Sequence, residues 1–296
     1  MTQEKNARPA RDGNLRPDRR TLLQFSTLGL GLLAIPFGRV TEAATPGSTA
    51  QSSKAWARLR NQEQIDIGII IYPGMDQIDF TGPFEVLVRV PGAHIHVVGT
   101  QAKPFRDDKG LILTPEIALA DMPDMDLLVV PGGPGQEAQM RNEAFFSALR
   151  RHLGRGKPIF SVCTGALLLG AAGLLKGRRA TTHWSAMEIL PYFGAEPVNE
   201  RVVLDDNIVS AAGVTAGIDG ALRVAAMLRG DQAAETIQLG IQYQPEPPFN
   251  AGSPETAPSG VLASLKKALQ PLTESRRNTA RAIGKALNVP SPDGRT

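Results

Sequence analysis

Pro158-Ile-Phe-Ser-Val-Cys-Thr-Gly-Ala-Leu-Leu-Leu-Gly170 decides the reading of this chain. Ile159 to Val162 is the short apolar run that a buried parallel strand requires, and it stops at Cys163-Thr164-Gly165. A run of small and aliphatic residues suited to a helix begins at once. A strand that turns this sharply into a helix strains the turn residue and exposes its side chain. The new helix also aims its first N–H groups and positive dipole end at that residue. Cys163 at such an elbow is expected to have a lowered pKa and to act as a nucleophile. It is the only cysteine among the 296 residues.

Outward from the elbow, further buried strands are predicted at Ile65–Tyr72, His94–Gly99 and Asp126–Val130, with a side hairpin near Gly110–Thr114. Shorter strands are expected at Arg179–Thr182, Arg201–Leu204 and Ile208–Ala212. Helical patterns fill Gly82–Val90, Asn142–Leu153 and Gly217–Leu228, with Pro83 in the first turn, where its missing N–H costs nothing. Strands alternating with helices imply a doubly wound, mostly parallel α/β sheet with helices on both faces. That domain is assigned to residues 65–258, after a linker at 45–64 in which the polar stretch Gln51–Gln64 reads as linker or short helix. A helical tail occupies 259–296, where Pro271 is expected to interrupt the helix and the basic residues Arg276, Arg277, Arg281 and Lys285 to form a solvated face.

The net charge of +3 lies in the head. Residues 1–20 carry six basic side chains against three acidic ones, so the body is near neutral and nucleic-acid binding has no support. A basic segment ending in Arg19-Arg20, an apolar run from Leu22 to Phe37 and small residues at Thr41–Ala44 follow the order of a twin-arginine export signal over residues 1–44. A periplasmic protein is expected, membrane-anchored if the signal stays uncleaved. A lone cysteine in an oxidising compartment closes no internal disulfide, which favours a reactive role.

In such a sheet, loops after the carboxyl ends of strands converge on the ligand crevice. Three of them carry chemistry: Asp79 after the first strand, Gly132-Gly133 after Asp126–Val130, and Cys163-Thr164. The N–H groups of Gly133 and Thr164 are expected to form an oxyanion-type hole, and Asp79 to move a proton. Read singly, Asp79 is equally a helix cap, the glycines a turn and Cys163 a core residue; their convergence favours chemistry. His183 closes a predicted strand and is a candidate for substrate binding. His94 and His96 lack a third ligand at a metal-binding spacing, and His152 reads as helix surface. No metal and no nucleotide cofactor is implied.

These residues resemble the DJ/PfpI branch of the class I glutamine-amidotransferase-like superfamily, and within it the isonitrile hydratase family, from about Ile65 to Ala257. The resemblance rests on Asp79-Phe-Thr-Gly-Pro-Phe-Glu-Val86, Pro131-Gly-Gly-Pro-Gly135, Ser161-Val-Cys-Thr-Gly165 and Gly213-Val-Thr-Ala-Gly-Ile-Asp219. Two departures exclude a true amidotransferase. Leu167 stands where those enzymes carry glutamine, and Gln244-Pro245-Glu246 lacks their histidine. Only some 35 residues follow Pro258, too few for the DNA-binding domain of related transcription factors.

The resemblance implies a flavodoxin-like fold and a hydro-lyase that converts an isonitrile to an N-substituted formamide without a cofactor. Cys163, Asp79 and Thr164 would be its catalytic residues, with a Cys163 thioimidate as intermediate. It also implies a homodimer acting on a small-molecule substrate. A glyoxalase- or deglycase-like enzyme on reactive carbonyls is a second reading, although that branch commonly pairs its cysteine with Glu rather than Asp. A thiol redox sensor or ligand-binding module is a third.

Overall fold

The computed structural model describes residues 49–294, so the predicted export signal lies outside the described residues. Much of the segment assigned as linker is helix α1 (Thr49–Arg60), whose Trp56 and Leu59 are buried in the main core. The sequence there looks polar because, among the side chains described, Trp56 and Leu59 are the ones buried. Arg229 closes this junction by donating to the carbonyls of Leu59, Gln62 and Pro91.

Strand β1 (Ile65–Ile71) comes next, followed by helix α2 (Gln77–Leu87), strand β2 (Ala93–Gly99) and a hairpin of β3 (Phe105–Arg106) with β4 (Ile112–Leu113). Strands β5 (Ile117–Ala118) and β6 (Leu127–Val130) lead to the one-turn helix α3 (Gln136–Gln139) and to α4 (Glu143–Gly154). The elbow strand β7 (Ile159–Val162) feeds α5 (Gly165–Ala171). Strand β8 (Arg179–Ala180) pairs with β9 (Glu196–Pro197) outside the main sheet, and a 3₁₀ segment, Trp184–Phe193, links them. The chain ends with β10 (Val202–Asp205), β11 (Ile208–Ala211), α6 (Ala216–Arg229), α7 (Asp231–Gly240) and α8 (Ser259–Ala286).

The main sheet has the order β10-β11-β7-β6-β1-β2-β5 and is parallel except for β10 against β11. Every residue of β6, β7 and β11 is buried, as continuous apolar runs covered by helices on both faces require. From β1 the chain builds outward one way through β2 and the other way through β6 and β7. This reversal between β1 and β6 opens a crevice at their carboxyl ends.

Three expectations need correction. Helix α2 starts at Gln77, not Gly82, because the Asp76 carboxylate caps it by accepting from the Ile78 N–H at 2.9 Å. Asp79 is therefore a first-turn residue and not the cap. Pro83 sits inside the helix, where its missing N–H leaves the Asp79 carbonyl without its usual helical donor.

Secondly, Pro271 does not interrupt the tail. Helix α8 runs through it for 28 residues. The proline and Lys267, whose carbonyl loses its donor, are both exposed, so that group lies in an exposed turn open to solvent. Thirdly, the second half of α8 is no solvated basic face. Arg276, Thr279, Ala280 and Gly284 are buried, and a Cβ on Gly284 would collide with the Tyr192 carbonyl of the 3₁₀ segment. The tail thus packs directly onto the α/β body.

His152 also departs from expectation. It is buried, its Nε2 lies 2.9 Å from the Pro158 carbonyl oxygen, and burial lowers its pKa to about 4.

Candidate active site

Cys163 sits at the end of β7 with φ of 55°, in the left-handed region that a non-glycine residue rarely adopts. Such a conformation costs about 1–3 kcal/mol, and here it is held from both sides. The Cys163 N–H donates to the Ala211 carbonyl at 3.0 Å, and the Cys163 carbonyl accepts from the Thr182 hydroxyl at 2.7 Å. Gly165 lets the turn close. A Cβ there would lie inside contact distance of the Val130 carbonyl oxygen, so only glycine brings α5 this near β6.

Asp79 reaches the same point from α2 and is fully buried. Its Oδ2 accepts from the Gly132 N–H at 2.9 Å. Oδ1 is buried without a well-formed hydrogen bond, and the Cys163 thiol is adjacent to the carboxyl. Both acids are held well above their ordinary pKa values. Burial is the main cause for Asp79, with the Asp76 carboxylate second. For Cys163 burial again leads, followed by the negative charge of Asp79. The expected lowering of the cysteine pKa is thus reversed. Helix α5 has only seven residues, and its weak dipole together with the Thr164 N–H does not offset desolvation and a neighbouring carboxylate. The pair holds a proton tightly between its two members, which is the state a proton-delivering acid beside a nucleophile needs.

Thr164 and Gly133 meet, but not as two donors to an oxyanion. The Gly133 N–H donates to Thr164 Oγ1 at 3.0 Å, so it orients the hydroxyl rather than facing an open space beside the sulfur. The Thr164 N–H interacts with Cys163 itself. Gly133 therefore contributes through Thr164. His183 lies apart from this hydrogen-bonded set. It caps the 3₁₀ segment, its Nδ1 is 2.8 Å from the Ser185 hydroxyl, and burial first and the Arg276 charge second lower its pKa to about 4. It is neutral at physiological pH. An activity profile between pH 5 and 8 is accordingly expected to look the same in His183→Asn as in the unmodified protein. A titration near pH 6.5 that vanishes in the variant would show otherwise.

Two further side chains complete the site and were not foreseen. The Tyr72 hydroxyl donates to the Pro131 carbonyl at 2.7 Å, and burial followed by the Asp79 charge raises its pKa. Arg276 of α8 is buried, with Nε 3.0 Å from Gln136 Oε1 and Nη2 3.0 Å from the Gly133 carbonyl oxygen. Tyr72 could have been suspected as the polar end of the first apolar run; an arginine in a basic tail carries no such signal. Cys163 is only 5% exposed. Cavities of about 540 and 660 Å³ lie along α8, but neither is lined by Cys163, Asp79 or Thr164.

A doubly wound sheet with a strained cysteine elbow and an acid at its switch point defines a class of thiol-centred α/β proteins. The chain belongs to the DJ-1/PfpI family, whose model matches residues 66–227. It is 41% identical to the isonitrile hydratase of Pseudomonas putida over 225 residues, covering 76% of this chain and 99% of that protein. A glutathione-independent glyoxalase of Caenorhabditis elegans is 25% identical over 173 residues, 57% of this chain and 92% of the other. Among solved structures, a THiJ/PfpI family protein from Pseudomonas syringae superposes with a TM-score of 0.71 at 40% identity, covering 73% of this chain and 90% of that one.

Proposed function

We propose that the protein is an isonitrile hydratase-like hydro-lyase, adding water to R–N≡C to give R–NH–CHO. The observation that carries this reading is a buried Asp79 carboxyl set against Cys163, whose sulfur is itself almost wholly buried. An isonitrile ends in a slim linear C–N≡C rod, so its terminal carbon suits restricted access. Similarity to the Pseudomonas putida enzyme over most of the chain supports the same choice.

The steps balance as follows. Cys163 sulfur forms a bond to the terminal carbon while Asp79 gives that carbon a proton, leaving the thioimidate S–CH=N–R and an ionised Asp79. The carboxylate then takes a proton from water as the oxygen adds to the same carbon and passes it to the nitrogen, giving S–CH(OH)–NH–R and an ionised Asp79 once more. Collapse breaks the C–S bond, releases the formamide and returns the hydroxyl proton to the Cys163–Asp79 pair. Covalent catalysis replaces one difficult addition by two easier ones. Thr164, held by Gly133, orients the substrate nitrogen.

The test supplies purified protein with an aliphatic isonitrile and, separately, with methylglyoxal, and quantifies formamide and lactate. Formamide alone is expected; lactate alone would replace this reading with the glyoxalase one. A redox-sensor role is disfavoured because sensor thiols are exposed and of low pKa, whereas Cys163 is buried and its pKa is raised.

The paired Arg19-Arg20 and the apolar run behind them support export by the twin-arginine machinery to the periplasm. Immunoblotting of periplasmic and cytoplasmic fractions, with Arg19 and Arg20 replaced by lysine as the comparison, tests this. The exposed apolar side chains Val261 and Leu265 on α8 suit burial in a homodimer, which light scattering of the purified protein checks.

A further inference from the structure

Arg276 is a buried guanidinium that lies within ion-pair distance of no carboxylate among the described residues. An unpaired buried cation is costly, and it persists where something compensates it. Its neighbours at hydrogen-bond distance are all neutral: Gln136 Oε1, the Gly133 carbonyl and, at the outer limit of 3.5 Å, Thr164 Oγ1. The acids whose ionised forms act on it, behind the effect of burial, are Cys163 first, then Tyr72, then Glu137. Cys163, in turn, faces Asp79 from α2, Asp76 from the cap of α2 and the Thr164 N–H, besides Arg276 itself. With Tyr72, which also acts on Cys163, three acids and one cation thus meet at one elbow.

We propose that Arg276, brought in by the C-terminal helix, is a positioning residue that fixes the Thr164 hydroxyl as a donor and supplies the counter-charge for a Cys163 thiolate. Thr164 Oγ1 already accepts from the Gly133 N–H at 3.0 Å, and Arg276 approaches its second lone pair. With both acceptor positions engaged, the hydroxyl acts as a donor in the one direction left to it. Its present acceptor is the Gly133 carbonyl at a long 3.3 Å, and the same carbonyl accepts the stronger Arg276 bond at 3.0 Å. The hydroxyl is therefore weakly held and ready to turn to a substrate atom. The guanidinium is itself held in place, since its Nε is fixed by Gln136. Ser275 and Thr279, on either side in the helix, both bond Glu137 Oε1 and lock α8 onto α3.

The turnover part of this inference rests on the hydratase reading, but the charge part does not. Two variants in the full-length protein separate them. Arg276→Met removes the charge at similar volume, and Arg276→Lys keeps a charge without the planar fork. The first readout is the rate of Cys163 alkylation by iodoacetamide at pH 7.5, followed by intact mass, with near-UV circular dichroism reporting the fold. In Arg276→Met the rate is expected to fall fivefold or more; a folded variant that alkylates at the unmodified rate overturns the charge role. The second readout is steady-state hydration of an isonitrile by Arg276→Lys, expected to lose tenfold or more in kcat with KM nearly unchanged. Unchanged kcat overturns the positioning role. Should Arg276→Met fail to fold, alkylation of Arg276→Lys decides the charge role, with a rate within twofold of the unmodified protein expected and a fivefold fall against it. If the unmodified protein hydrates no isonitrile, the alkylation comparison still decides the charge role, and the positioning role falls with the hydratase reading.

Discussion

Cys163→Ala is expected to abolish formamide production, by roughly 10⁴-fold or more, because the covalent route disappears with the sulfur. The fold should survive. Alanine retains a Cβ, so it meets the same backbone strain at φ 55° that cysteine already bears, and both hydrogen bonds that hold the elbow use backbone atoms of residue 163. Removing one buried sulfur costs about 1–2 kcal/mol of packing, well within the stability of a domain this size. A loss of activity with a retained near-UV spectrum therefore isolates the nucleophile from the scaffold. Mass spectrometry of the unmodified protein quenched during turnover should reveal the isonitrile added to residue 163, and the variant should carry none. Full hydratase activity in Cys163→Ala would end the thioimidate mechanism and leave direct water addition by Asp79.

The sheet was legible because its central strands are buried on both faces and so read as nearly continuous apolar runs at 65–72, 126–130 and 159–162. The candidate site was legible for a related reason. Its residues follow directly on those strands, and parallel topology brings the strand ends together. What escaped reading is what depends on contacts distant in sequence. Among its described side chains, helix α1 buries Trp56 and Leu59, too few to set a period. Pro271 reads as a break in the sequence, yet α8 runs through it, with both Pro271 and Lys267, whose carbonyl loses its donor, exposed. Arg276 looked like one more basic residue of a tail. Only the small residues Ala280 and Gly284, one and two turns further along, hinted that this face approaches another backbone.

The pKa of Cys163 shows where local rules lose. A helix N-terminus and an elbow predict a lowered value, yet the site is dry and shares its space with Asp79, Asp76 and Tyr72. Desolvation and like charge act at full strength in such surroundings, while a seven-residue helix has little dipole to oppose them. Nothing in a stretch of ten residues reveals which acids the fold will place around its cysteine.

Asp79→Asn follows from that balance and pulls three measurements in different directions. Asparagine is nearly isosteric: its side-chain oxygen can still accept from the Gly132 N–H, and its amide nitrogen replaces Oδ1, which has no well-formed bond at present. Turnover is expected to fall about 10²–10⁴-fold, the usual contribution of a positioned acid and base. Alkylation of Cys163 should instead speed up, because the carboxylate charge that raises the thiol pKa is gone. Stability should rise as well. The carboxyl pKa in the fold lies above its ordinary value of 3.8, so the folded state binds the proton more tightly than the unfolded chain does. Its stabilising contribution is fully present below pH 3.8 and is lost as pH climbs through the raised value. The variant carries no such loss. Urea denaturation at pH 5 and at pH 8 should show it to be more stable at both, with the gap wider at pH 8 and at least about 1 kcal/mol there, or about 2–4 °C in Tm. A gap that narrows with rising pH would mean that Asp79 is stabilised as a carboxylate. Unchanged formamide output would remove it from proton transfer. A mutant that is more stable, more reactive toward iodoacetamide and catalytically dead would identify Asp79 as a group kept at a cost to the fold for the sake of the reaction.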